Sequence, residues 1–146
     1  MAWYDGVTLA EVDHEILPFW EGLKRHEFLL FRCKRCAACY WPAAYCRNHD
    51  DSPSLDEMEW VPTSGRGRVH ASVVVHQVAD QAYADELPYA LAIVELEEGP
   101  VFPTRVIDCD VAAVRIGLPV EVAYRDVPAN DITLPLFRPI PTPGPR

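Results

Sequence analysis

The stretch CKRCAACYWPAAYCRNHD, residues 33–50, gathers four of the chain's five cysteines into fourteen positions and places His49 three residues beyond the last of them. Cys33-x2-Cys36 has the spacing of a tight turn that offers two thiolates to one metal ion, and Cys46-x2-His49 repeats it after nine intervening residues. Two such knuckles joined by a hairpin tip make a ribbon around a tetrahedral ion. Cys33, Cys36, Cys46 and His49 are therefore the expected ligands of a structural Zn2+. Cys39 repeats the x2 spacing after Cys36 and is the rival for the fourth position. A redox role for Cys33 and Cys36 would need the motif set between a strand and a helix, and the surrounding sequence has no such pattern. A catalytic zinc would keep one position open beside a general base, whereas four closely spaced ligands close the site. The metal then stabilises a segment too small to have its own core.

Residues 31–52 are thus read as a rubredoxin-like ribbon. On its N-terminal side, residues 1–30 form an expected helical arm, with apolar positions at Ile16, Leu17, Trp20, Leu23 and Phe28 suiting one or two short helices interrupted near Pro18. Trp3, Tyr4, Trp20 and Phe28 exceed what a lone helix must bury, which points to a protein interface there. Deleting residues 1–26 is accordingly expected to abolish partner binding and leave the barrel folded. Residues 53–66, dense in Asp, Ser, Pro and Gly, read as a connection. From residue 67 to 140 the character changes to strands, at 68–78, 89–97, 100–108, 118–127 and 131–139. Five strands, with a short helix expected after the third, fit a Greek-key barrel of the OB type. Pro103 cannot donate to a ladder and belongs at an edge or bulge. Residues 141–146, ending in PGPR, read as a flexible tail. The fold class is mainly β: an N-terminal helical arm, a zinc ribbon, then a five-stranded OB-fold barrel.

The net charge of −9 argues against general nucleic-acid binding, which draws its affinity from lysine and arginine. The positive charge is uneven, however: Lys24, Arg25, Arg32, Lys34 and Arg35 put five of the thirteen basic residues into twelve positions beside the cysteines. They are the candidate contact for an anionic ligand or an acidic partner surface. No apolar run reaches the roughly 18 to 20 residues of a membrane span, and the opening residues lack the form of a signal peptide, so the expected compartment is the cytoplasm. Thiols stay reduced there, which again favours metal over disulfide.

In order along the chain come PFWEGL, Cys33-x2-Cys36, Trp41-Pro42, Cys46-x2-His49, LPYALAIVELEEG, IDCD, RIGLPVEVAYRDV and TLPLFRP. This series, over roughly residues 15 to 139, resembles the DUF35 family, whose members join a helical arm and a rubredoxin-like zinc ribbon to a C-terminal OB fold. The resemblance implies a non-catalytic accessory subunit or domain of an acyl-CoA-processing complex. Its expected partner is a thiolase-like aldolase or acyltransferase, or a MaoC-type hydratase, in a hetero-oligomer, with steroid side-chain degradation among the settings. A coenzyme A ester shared with that partner is the implied ligand. The chain departs from the family pattern at Ala37, where Gly is usual, at Pro42-Ala43-Ala44, where Pro-Pro-Arg is common, and at Cys46-Arg47-Asn48-His49, where Cys-Pro-x-Cys is common.

Independent catalysis has little support in the residues. His70 and His76, an even number apart, share a face of the first barrel strand if that strand is regular, but no third ligand is placed beside them. Cys109 reads as a small inert thiol, and no Gly-rich phosphate loop or serine elbow is present. The alternative class is a free-standing OB-type module for single-stranded nucleic acid, with Tyr83, Tyr89 and Phe102 as stacking rings. It would need a basic groove that the acidic barrel sequence lacks.

Overall fold

The computed structural model describes residues 14–42, 45–49 and 54–141. Trp3 and Tyr4 lie outside them. Helix α1 (Leu17–Lys24) follows a 3-10 turn at His14–Ile16, and Pro18 stands in its first turn, where a missing N–H costs nothing. Pro18 thus starts the helix where the sequence suggested an interruption. The helix ends in a Schellman motif: the N–H of Glu27 donates to Gly22 O and that of His26 to Leu23 O, both at 2.9 Å. His26 takes the left-handed position of that motif (φ 58°) that glycine usually fills. Its ring compensates by stacking on Tyr124, centroids 4.8 Å apart, while Nε2 lies 3.0 Å from Asp126 Oδ1.

Strands β1 (Leu29–Cys33), β2 (Cys39–Tyr40) and β3 (Met58–Pro62) form an antiparallel sheet in the order β2-β1-β3. β3 lies inside the stretch that its Asp, Ser and Pro content marked as a connection. Trp60 and Val61 carry it, pairing with Phe31 and Leu30. The barrel follows, from β4 (Arg66–Val75), β5 (Tyr89–Leu96), β6 (Val101–Val106), β7 (Pro119–Val127) and β8 (Ile132–Pro139), closed in the order β4-β5-β6-β8-β7. The interval between β6 and β7 holds a single 3-10 turn, Val111–Ala113, capped by Asp110, whose carboxylate accepts from Ala112 N. This is the mainly β architecture of an arm, a cysteine-rich ribbon and a five-stranded barrel.

Two closures of the barrel differ in strength. β7 and β8 pair along their whole length, but β6 and β8 meet in parallel through one residue pair, Val106 with Phe137. Pro103 therefore sits where β6 has β5 on one side and no ladder on the other, the edge position its missing N–H requires. At Gly67 β4 is paired with both β5 and β7, and a Cβ there would collide with the Glu95 carbonyl, so a side chain would push the barrel open.

The core runs through the barrel and into the helix. Phe19, Leu23, Phe28 and Leu30 are buried with Val69, Val94, Leu96, Phe102, Val120 and Phe137. Phe19 packs edge-on against Phe28 at 5.5 Å and lies 6.1 Å from Phe102, and Phe28 packs edge-on against Phe102 at 5.1 Å. The expectation that residues 1–26 could be removed from an intact barrel is thus corrected: Phe19 and Leu23 are 1% and 0% exposed, and their loss would empty the core. Phe28 is likewise core and presents no free interface. The shared face of His70 and His76 is corrected too. A β-bulge between Val69 and Ala71 leaves His70 out of register, and His76 lies beyond the end of β4.

Candidate metal centre and apolar cavity

The ribbon brings the four expected ligands together. The donor atoms of Cys33, Cys36, Cys46 and His49 all lie within 4.8 Å of one another. Cys33 Sγ is 3.5 Å from His49 Nε2, and Cys36 Sγ is 3.5 Å from Cys46 Sγ. Ligands on a tetrahedral ion with bonds near 2.3 Å stand about 3.8 Å apart, so this donor set could hold a metal ion in that geometry. Cys39 is elsewhere: it sits opposite Arg32 in the β1–β2 pair, packs against the barrel core, and its thiol faces Ala37 O at 3.7 Å.

Local backbone geometry explains how the site is built. Cys33 ends β1, its N–H donates to Ala38 O, and its own carbonyl accepts from Ala37 N, both at 2.9 Å, which folds the first knuckle back on itself. Ala37 pays for that turn with φ 63°, the conformation that makes glycine the usual residue there. The backbone N–H of Ala38, helped by the Asn48 side-chain amide, lowers the Cys36 thiol to about 6. Burial raises Cys33. In the second knuckle the Tyr40 hydroxyl accepts from Arg47 N at 2.9 Å and donates to Cys46 Sγ at 3.5 Å, tying strand β2 to the ligand loop.

The five basic residues are distributed over three places and each has a partner. Lys24 Nζ is 3.0 Å from Asp131 Oδ2, Arg25 Nη2 is 3.4 Å from Glu27, and Arg32 Nη2 is 2.7 Å from Glu59. Lys34 Nζ donates to Asp56 O at 2.9 Å, and Arg35 Nη1 is 3.7 Å from Glu57. An anionic ligand would compete with these acids. Cys109 is half-buried against the core, and burial, reinforced by Asp108 and Asp110, raises its thiol above the ordinary value. It has the character of an inert thiol.

The feature that sequence reading missed is a cavity of about 760 Å³. Its walls come from α1 (Phe19, Trp20), the ribbon (Trp41) and four barrel strands, and they are almost wholly aliphatic and aromatic. Arg105 is the one charged side chain on them; its guanidinium lies over the Tyr89 ring at 4.4 Å and 3.5 Å from Glu86. No short motif announces such a site, because its residues are spread from 19 to 136 and only the barrel closure collects them.

A ribbon of three cysteines and a histidine, preceded by a short helix and joined through strand β3 to an OB-type barrel, defines a class of two-part proteins with no assembled catalytic constellation among the described residues. Comparison with known proteins agrees. Residues 60–125 match the family described as ChsH2, C-terminal OB-fold domain. The chain is 33% identical over 127 residues to a DUF35 domain-containing scaffold protein of Methanocaldococcus jannaschii, covering 84% of this chain and 85% of that one. The chain belongs to the DUF35 family. It is also 34% identical over 110 residues to the 3-oxo-4,17-pregnadiene-20-carboxyl-CoA hydratase alpha subunit of Mycobacterium tuberculosis, covering 75% of this chain and 33% of that subunit. Among solved structures, a chain of the Ltp2-ChsH2(DUF35) aldolase superposes with a TM-score of 0.76 at 28% identity, over 90% of this chain and 98% of that one.

Proposed function

We propose that this protein is a non-catalytic accessory subunit of an acyl-CoA-processing complex, supporting a thiolase-like aldolase or a hydratase with which it forms a hetero-oligomer. The observation that carries this reading is the near end-to-end similarity to a protein named a scaffold, together with a fold shared over its length with a component of an aldolase complex. The chemistry of the chain is consistent with it. The thiols of Cys33, Cys36 and Cys46 are gathered in one metal-ligand cluster, and His70 stands exposed on β4 in an ion-pair contact with Glu95 at 3.9 Å.

Cys33, Cys36, Cys46 and His49 would hold Zn2+ as a structural ion. Three thiolates and one imidazole suit zinc's preference for sulfur and nitrogen, and the bound metal supplies a rigid cross-link between the two knuckles. Lys24, Arg25, Arg32, Lys34 and Arg35 are proposed as contacts for an acidic partner surface. Their present ion pairs are solvent-exposed, and exchanging such pairs costs little. The test is affinity purification of the tagged chain from its native host, with mass spectrometry of what accompanies it. A thiolase-like or hydratase protein in comparable molar amount is the expected result; recovery of the chain with oligonucleotides and neither enzyme would overturn the reading.

A further inference from the structure

We infer that Cys36 and Cys46 form a site of reversible oxidation by hydrogen peroxide or a small organic hydroperoxide, closing to a disulfide that spans the two knuckles and withdraws two donors from the metal. It goes beyond the accessory role and rests on the reading above only for the ion that the four donors hold.

Three observations select this pair. Cys36 is the exposed cysteine of the five; Cys33 is buried with Phe31 and Met58, and Cys39, Cys46 and Cys109 are half-buried. An oxidant arriving from solvent therefore meets the Cys36 sulfur first. Cys46 Sγ stands 3.5 Å from it, and a disulfide needs about 2.05 Å, so a closure of roughly 1.5 Å joins them. Both sulfurs are held in place: the Asn48 side-chain amide donates to Cys36 Sγ and the Tyr40 hydroxyl to Cys46 Sγ, each at 3.5 Å. The other two thiols of the segment are engaged differently. Cys33 Sγ lies 3.5 Å from His49 Nε2, and Cys39 turns to Ala37 O.

Oxidation proceeds in two balanced steps. The Cys36 thiolate attacks one peroxide oxygen; an S–O bond forms, the O–O bond breaks, and hydroxide leaves and takes a proton from solvent. The Cys46 thiolate then attacks the Cys36 sulfur; the S–S bond forms, the S–O bond breaks, and a second hydroxide leaves and is protonated in turn. Each thiolate has lost one electron, and the peroxide has been reduced to two waters. Cys33 and His49 alone remain as donors, half of what a closed zinc site needs, so the ion dissociates. The disulfide keeps the first knuckle tied to the second, so a thiol reductant and fresh Zn2+ restore the site.

The test loads the full-length chain with one equivalent of Zn2+, checked by elemental mass spectrometry, and adds hydrogen peroxide beside a chromogenic zinc chelator. Metal release in step with disulfide formation is expected, with peptide mapping joining Cys36 to Cys46. Dimedone, which traps sulfenic acid, should label Cys36 alone during brief exposure. Dithiothreitol with Zn2+ should return the metal to one equivalent. A variant carrying Cys39→Ser and Cys109→Ser, without the two thiols outside the cluster, should release metal within twofold of the parental rate; if it melts early, the parent's peptide map decides. A Cys33–Cys36 disulfide, dimedone on Cys33 or Cys46, metal retained at millimolar peroxide, or metal lost with Cys36 overoxidised and no disulfide would overturn the inference. A chain that takes up no Zn2+ would contradict the metal reading instead, and the peptide map and dimedone label of that chain still decide the pair.

Discussion

The ribbon and the barrel solve the problem of stability in opposite ways. The barrel core is built from a dozen buried side chains, with α1 contributing two of them, whereas the ribbon's own cluster comprises Phe31, Cys33 and Met58. Burying a large apolar side chain is worth roughly 1.5–3 kcal/mol, so the barrel can stand on apolar burial alone and the ribbon cannot. The ribbon must be held by its cysteines and histidine. Sheet β2-β1-β3 connects the two regimes, since Leu30 belongs to the barrel core and Phe31 and Cys33 to the ribbon's.

Metal removal should break this comparison most sharply. A structural zinc site contributes on the order of 10 kcal/mol to the segment it organises. Chelation, or Cys46→Ser, is expected to abolish amide-exchange protection in residues 33–49 while protection in β5 and β7 persists; simultaneous loss in both regions would show that the barrel, too, depends on the site. Next in size is Phe19→Ala, which removes a ring from the junction of helix and barrel. It should cost about 3–5 kcal/mol in urea unfolding of the barrel and leave bound metal, measured by elemental mass spectrometry, at the parental level.

Ala37→Gly tests the ribbon's turn by itself. Relief of the left-handed backbone at φ 63° should stabilise the metal-bound ribbon by about 1 kcal/mol, seen as slower metal transfer to a chelator, without moving the barrel's melting temperature. The smallest effect concerns the His26–Asp126 clasp. Thr133 Oγ1, donating at 2.7 Å, and then His26 hold the Asp126 carboxyl below its ordinary value of 3.8. A depressed carboxylate contributes its stability above the unfolded value and loses it as pH falls through the folded one. The urea midpoint of the parent should therefore drop more steeply than that of Asp126→Asn as pH is lowered from 4 to 2, with the two curves converging at the acid end.

What could be read from the sequence follows from how local each signal is. The clustering of Cys33, Cys36, Cys46 and His49 was legible because two x2 turns each fix a pair of donors within a few residues, and the second of them places His49 rather than Cys39 beside the others. The barrel strands were legible from β-branched runs, and Pro103 announced an edge. Strand β3 was hidden because Trp60 and Val61 are surrounded by turn residues and become a strand only through β1. The bulge at His70 was invisible for the same reason, since register is a property of two strands and not of one. Phe28 looked like part of an interface for a partner and turned out to face the barrel. An amphipathic pattern shows that a face is covered, but not whether the cover is its own chain or another. The cavity, collected from distant segments, had no local signature at all.

The most direct test of the accessory role is reconstitution. The chain and its co-purifying thiolase-like or hydratase enzyme are assayed separately and mixed, with acyl-CoA turnover followed alongside the mass of the complex by light scattering. The account predicts no turnover by the chain alone, a defined hetero-oligomer on mixing, and turnover by the enzyme that rises at least tenfold in that complex. Turnover by the chain alone, or no mixed complex and an unchanged rate, would contradict it.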